Sequence, residues 1–217
     1  MNRELAEIIK IYATRPDKEL MEYLLEKSKN TLIAILVDLI TIYINDKNSS
    51  TLREFLTVSI AGYEHTKQKV GYNGYKLSSY GKPLMCEAKP QNVSKNGKRK
   101  LDGGGNFTDY THERLERDRK ENLNVLVSGF VDGRLLYVLE FPFGCIASRL
   151  EEQLNKQFPK GDIKGQYLRS ARFNYKDYIN CKGLKVVFCL PKSKLAEYKR
   201  NIVKEFYEFL KEVAPND

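Results

Sequence analysis

Histidine is scarce in this chain: His65 and His112 are its two examples, and they lie far apart. That scarcity argues against an H-N-H nuclease core and a histidine-based zinc site, and gives little support to Ser/His/Asp or Cys/His nucleophilic catalysis. Cysteine is sparse as well. Cys86, Cys145, Cys181 and Cys189 contain no C-x-x-C pair, which argues against a zinc knuckle or dithiol redox motif, so they are expected to be reduced core residues of a cytoplasmic protein. Long apolar runs are missing too. The most apolar stretch, Thr31 to Ile44, carries Asp38 and falls short of the ~20 residues that span a bilayer, so it reads as a buried helix or a dimer face, and no membrane partner is expected. Met1-Asn2-Arg3-Glu4 runs straight into an amphipathic segment without a signal pattern. The glycine-rich stretch Gly103-Gly104-Gly105 lacks the G-K-[ST] ending of a P-loop, which argues against nucleotide hydrolysis, and it reads instead as a flexible hinge. There is no internal repeat.

What is present is enough apolar material, 41% of 217 residues, for one well-cored domain with a helical subdomain. The formal charge of +9 and the pI near 9.2 favour a polyanionic partner, because clustered lysine and arginine are drawn to phosphate backbones and release counterions there.

Apolar spacing predicts a first helix through Leu5, Ile8, Ile9 and Tyr12, ended by Arg15-Pro16-Asp17, and a second from Asp17 through Lys29. A third runs from Thr31 to Ile44, and a fourth follows a cap at Ser50 or Thr51 with Leu52, Phe55, Leu56 and Ile60 on one face. The character changes at Gly62. Two short apolar or aromatic runs between Lys69 and Lys89, punctuated by Asn73-Gly74 and Tyr80-Gly81, predict strand, turn, strand. Val93 to Gly105 reads as a basic flexible loop carrying Lys95, Lys98, Arg99 and Lys100, candidate phosphate contacts. A charged helix is expected from Thr108 or Asp109 to Glu121. A hairpin of 124–131 and 134–141 should turn on Asp132-Gly133. Helix is expected from Cys145 to Phe158, strands over 167–175 and 184–190, and a closing helix over 194–213.

Two stretches carry candidate chemistry. In Glu87-Ala88-Lys89, strand alternation sends the carboxylate and the ammonium to one face and Cys86 and Ala88 to the other. Such a wall suits a divalent cation and the charge that builds on a phosphate under attack. In Gln166 to Tyr175, arginine, asparagine and tyrosine interleave, so Arg169 and Arg172 are candidates for DNA contact; three apart on a strand, they face opposite sides. Glu140, after the apolar run 135–139, is expected to pair with an arginine and is a lesser candidate acid.

The order helix, strand, strand with Glu87-Ala88-Lys89, helix, strand resembles the PD-(D/E)xK nuclease superfamily, the fold of many type II restriction endonucleases, over roughly Gly62 to Val131. The resemblance implies an α/β (α+β) fold with a mixed central sheet flanked by helices. Residues 1–61 would form a helical subdomain, 62–191 the catalytic core and 192–217 a C-terminal helix. It also implies a Mg²⁺-dependent, sequence-specific endonuclease acting on double-stranded DNA as a homodimer. Glu87 is then the metal-ligating acid and Lys89 the catalytic lysine. Asn73 stands where the first aspartate is expected, unless Asn73-Gly74 is a type I′ turn. Glu64 would supply a further carboxylate from the preceding helix, with Asp102 ranked below it. A non-catalytic nucleic-acid-binding protein and a repair or structure-selective nuclease on the same fold are the alternatives.

Overall fold

The computed structural model describes residues 2–45, 50–66, 72–78, 81–121 and 123–217. Four helices come first: α1 (Arg3–Thr14), α2 (Asp17–Leu25), α3 (Lys29–Asn45) and α4 (Thr51–Ile60). The Asn2 side chain caps α1 by accepting the Glu4 amide at 2.9 Å, and Leu5 and Ile9, one turn apart, face inward. Then follow β1 (Glu64–His65), β2 (Gly74–Leu77), β3 (Pro83–Val93), β4 (Gly105–Tyr110), α5 (His112–Glu121), β5 (Asn124–Val131), β6 (Arg134–Pro142) and α6 (Gly144–Gln157). β7 (Leu168–Phe173), β8 (Lys185–Cys189), α7 (Lys192–Ala196) and α8 (Lys204–Val213) complete the chain. The expected polar turn and the start of the expected first strand fall partly on residues 46–49 and 67–71, outside the described residues.

The chain is a mixed α/β protein. Its main sheet has the order β1-β2-β3-β5-β6-β8, with β3 and β5 parallel and the other neighbours antiparallel; β4 and β7 form a separate antiparallel pair. The parallel step needs a crossover, and α5 provides it. Alternation along β5 divides the interior in two. Leu126 and Phe130 pack with Leu5, Val58 and Val138 toward the N-terminal helices, whereas Val125 and Val127 pack with Phe141, Leu150 and Phe206 on the other face. Among the described residues no helix is long and apolar enough to cross a membrane.

The hairpin turns on Asp132 and Gly133 as expected, both with positive φ. Five expectations are corrected. Residues 105–110 are strand rather than helix start, because Phe107 and Tyr110 are buried and pair the segment with β7; α5 begins at His112, where Asp162 accepts the amides of His112 and Glu113. The supposed flexible loop is anchored: Leu101 is fully buried, donates its amide to Asn201 O at 2.8 Å and accepts the Val203 amide at 2.9 Å. That extended contact at Ile202 and Val203 also splits the expected C-terminal helix into α7 and α8. Gly103 to Gly105 are packed rather than hinge-like; Gly103 has φ +63, and an added Cβ there would lie 2.6 Å from Phe206 Cζ. Finally, Cys145 and Cys181 form a disulfide with their Cα atoms 5.9 Å apart, so only Cys86 and Cys189 are free, buried thiols.

Candidate functional site

β3 delivers Glu87 and Lys89 to the face that meets β4 and α5, as alternation requires. The Lys89 Nζ donates to Glu87 Oε1 at 2.6 Å, and both side chains are largely shielded, 14% and 11% exposed. The ammonium also lies 4.2 Å from the centre of the Phe107 ring, a cation–π contact. Gly105 makes this possible: an added Cβ would sit 2.8 Å from Lys89 Cβ and 2.6 Å from Phe173 Cζ. The glycine therefore sets how closely β4 covers the lysine stem.

The same face meets a buried acid carried by α5 itself. Asp118, 2% exposed, accepts from the Tyr110 hydroxyl at 3.1 Å and pairs with Arg117 at 3.4 Å and Arg114 at 3.7 Å. Burial raises its carboxyl above the usual range; the two arginines and the Tyr110 hydrogen bond pull the other way, and the Glu87 charge adds to the rise.

Asn73 lies immediately beyond the last β2–β3 pair, Gly74 with Cys86, and its amide donates to Cys86 O at 2.9 Å. It does not adopt positive φ, so Asn73-Gly74 is not a type I′ turn. Gly74 is a strand residue whose Cβ position is blocked by Val58 and by Glu64 O. Asn73 Oδ1 accepts the Ala88 amide at 2.7 Å, while its Nδ2 donates to Glu54 Oε2 at 3.4 Å. The side chain thus links the first turn of α4 to the Glu-x-Lys strand, one residue from Glu87. Glu64 is not brought there. It belongs to β1, is exposed, and accepts from the Tyr75 hydroxyl at 2.6 Å.

Above Lys89 opens a cavity of about 820 Å³. Its walls carry Lys89, Arg99, Lys100, Arg149 and Arg172 against only two carboxylates, Glu54 and Asp102, so it is a positively charged recess. Asp102 is committed inside it. Its Oδ1 accepts from Gln91 Nε2 at 2.7 Å and from the Gly104 amide at 3.0 Å, which fixes the floor of the recess. Arg172 is placed by Gln153 of α6, which accepts the Arg172 amide at 2.9 Å and donates to its carbonyl at 2.8 Å.

Of the candidate phosphate contacts, Arg99, Lys100 and Arg172 line this recess. Lys95, Lys98 and Arg169 do not line it: Lys95 lies 5.7 Å from the centre of the Tyr198 ring, and Lys98 and Arg169 are exposed elsewhere. Glu140 faces the opposite side of the sheet and is 4% exposed. It accepts from Tyr63 and Asn124, both at 2.8 Å, and pairs with Lys76 at 3.3 Å, so its partner is a lysine rather than the expected arginine. Two residues escaped the sequence reading. Glu54, an acid in the first turn of α4, reads as a partner of the helix dipole, and Arg149 reads as half of a solvated pair with Glu152, 3.2 Å away.

Mg²⁺ takes hard oxygen donors and commonly uses one or two carboxylates with water and substrate phosphate; here Glu87 Oε1 accepts from Lys89, and the Asn73 oxygen is already engaged by the Ala88 amide. Among the described residues no group of three or more His, Cys, Asp or Glu side chains converges to hold a metal. The residues present make no all-protein cage; a Mg²⁺ here would need water and phosphate for most of its ligands. No protein-family model matches the chain, and no curated protein matches it.

Proposed function

We propose that this protein is a Mg²⁺-dependent endonuclease that hydrolyses double-stranded DNA at a defined sequence, on a frame like that of the PD-(D/E)xK nucleases. The observation that carries the reading is the double engagement of Lys89: it pairs with Glu87 at 2.6 Å and lines a recess with four further cations. The strand order, with the Glu-x-Lys strand parallel to β5 across the α5 crossover, supports the restriction-endonuclease-like frame.

In this reading Glu87 would hold the cation, and Glu54, which accepts from Asn73, would supply the carboxylate that the missing first aspartate does not. When bound, Mg²⁺ supplies a water of lowered pKa and neutralises charge on the scissile phosphate. The chain's own groups do the rest. Arg99, Lys100, Arg149 and Arg172 seat backbone phosphates in the recess, and Arg172 is held to its position by Gln153. Lys89, raised toward the recess by Phe107 and Gly105, donates to the oxygen on which negative charge builds. Cutting both strands of a palindromic site calls for two copies of the chain.

One observation favours a second reading, a nucleic-acid-binding protein without hydrolysis: the first acid of the pattern is Asn73, which contributes no charge to a cation. Incubation of the protein with long DNA and Mg²⁺ separates the two. Discrete fragments that vanish with Lys89→Ala, while DNA binding persists, support the enzyme. Binding without cleavage across several divalent cations, or cleavage indifferent to Lys89, supports the second reading. Fragments of fixed sequence boundaries favour restriction, and cleavage confined to junctions or flaps favours repair.

A further inference from the structure

The Cys145–Cys181 bridge stands apart from the other sulfurs. Both of its cysteines are half-buried, whereas Cys86 and Cys189 are buried thiols, so small thiols and disulfides reach the bridge and not the rest. A chain of 217 residues with two apolar clusters needs no covalent staple to hold its fold. A protein that works on double-stranded DNA, as proposed above, also meets compartments in which thiols are kept reduced, and a disulfide in that setting is one that opens and closes. Cys145 lies in the first turn of α6, Gly144 to Ala147, which carries no acidic side chain. Helix amides favour negative charge there, so its sulfur leaves readily when a thiolate attacks Cys181.

The bridge joins two elements that wall the recess. On one side Cys145, Arg149 and Gln153 follow one another at four-residue steps along α6; Arg149 lines the recess, and Gln153 holds Arg172 by its amide at 2.9 Å and its carbonyl at 2.8 Å. On the other side Cys181 donates its amide to Tyr178 O at 2.9 Å. The Tyr178 hydroxyl in turn donates to Gly103 O at 2.7 Å, and the Tyr175 amide donates to Asp102 O at 3.1 Å. Asp102 and Gly104 belong to the floor of the recess, and Asn174, directly before Tyr175, to its wall. From Asn174 to Cys181 the backbone is turns and a short 3-10 helix, so no sheet pairing places this segment. The bridge ties it covalently to the helix that carries Arg149.

We propose that Cys145 and Cys181 form a reversible redox switch of the recess: the disulfide form holds the α6 wall against the floor and binds a phosphate backbone more tightly, and the dithiol form loosens it. The ligand in this inference rests on the nuclease reading; the coupling of bridge to recess does not. Closure uses a low-molecular-weight disulfide such as oxidised glutathione. One cysteine thiolate attacks it and releases a glutathione thiolate, and the second cysteine thiolate attacks the mixed disulfide and releases the other. The two protein sulfurs give up two electrons, and their two protons end on the glutathione thiols. Opening is the same sequence in reverse.

The full chain is equilibrated in glutathione buffers of graded ratio, quenched in acid, alkylated and weighed by mass spectrometry. Each form is also taken through hydrogen exchange and titrated, without a divalent cation, with a fluorescent double-stranded oligonucleotide. The bridge should pass from open to closed within the glutathione range. In the open form the Gly104 and Arg172 amides should exchange faster at unchanged far-ultraviolet circular dichroism, and the oligonucleotide should bind about five-fold more weakly. Reciprocity then requires the oligonucleotide to favour closure by the same factor. Cys145→Ser with Cys181→Ser should match the open form and ignore glutathione; should that variant fail to fold, the reduced wild type gives the same comparison. A bridge that stays closed in millimolar reduced glutathione, or one that never closes, overturns the proposal. So does an open form whose Gly104 and Arg172 amides exchange at the closed form's rate, or one that binds the oligonucleotide as tightly. Absence of binding by both forms refutes the nucleic-acid reading instead, and the exchange rates then decide the switch.

Discussion

The Lys89–Glu87 pair gives the sharpest test of the site, because its energetics follow from its shielding. The two charges meet at 2.6 Å with 14% and 11% of their side chains exposed. Removing one partner of a buried pair costs about 3–5 kcal/mol, chiefly because the other charge is left uncompensated. Nearby cations in the recess offset part of this for Glu87, so Lys89→Met should destabilise by about 2–3 kcal/mol, including loss of the contact with Phe107. In a chain of this length that lowers Tm by roughly 4–12 °C. Glu87→Gln leaves the ammonium over an aromatic ring and costs about 1–2 kcal/mol. The double variant removes both charges together and should be more stable than the sum predicts, with a coupling of about 1–3 kcal/mol. Urea unfolding followed by circular dichroism, with calorimetry as the second probe, measures the cycle. Additive single effects, or a Lys89→Met variant within about 0.5 kcal/mol of wild type, would refute the pairing.

Three other expectations concern the frame around that pair. Gly105→Ala forces a methyl into the space between Phe173 and Lys89 and should cost about 1–3 kcal/mol in urea unfolding; an unchanged midpoint would show that β4 does not close on the lysine stem. His112 is partly desolvated, which alone would lower its pKa, but hydrogen bonds with Asp162 and Asn155 outweigh this and raise it. Its contribution to stability should therefore be complete below its ordinary pKa of about 6.5 and be lost as pH rises through the higher folded value. His112→Gln should flatten the stability profile across that window, and an identical profile would count against the contact. Reduction of the Cys145–Cys181 bridge frees a loop spanning 36 positions and should destabilise by ~3–4 kcal/mol, seen as a lower Tm in reductant that Cys145→Ser with Cys181→Ser reproduces.

The helices and the hairpin were legible because their signals are local. Leu5 with Ile9, and Asp132 with Gly133, state their structure within a few residues. The strand at 105–110 was not, since the glycines and the charge that follow it look like a hinge before a helix; only its partner β7, more than fifty residues on, makes it a strand. The break near Ile202 was hidden in the same way, being imposed by Leu101. At the site, Glu87 and Lys89 could be paired from alternation alone. Glu54 could not, because its link to the strand runs through Asn73 and depends on where α4 packs across β3. The disulfide likewise joins two cysteines that no spacing rule connects.

The recess has walls drawn from widely separated stretches of the chain. Lys89 comes from β3, Arg172 from a strand paired with 105–110, and the loop bearing Arg99 and Lys100 is fastened at Leu101 to Asn201 and Val203. During synthesis the Glu-x-Lys strand emerges early, yet its cover cannot close until β7 is made, and the basic loop stays unfastened until nearly the last segment appears. A nascent chain therefore carries the acid and the lysine without the cationic recess around them. Assembly of the recess is therefore one of the final, most non-local events of folding.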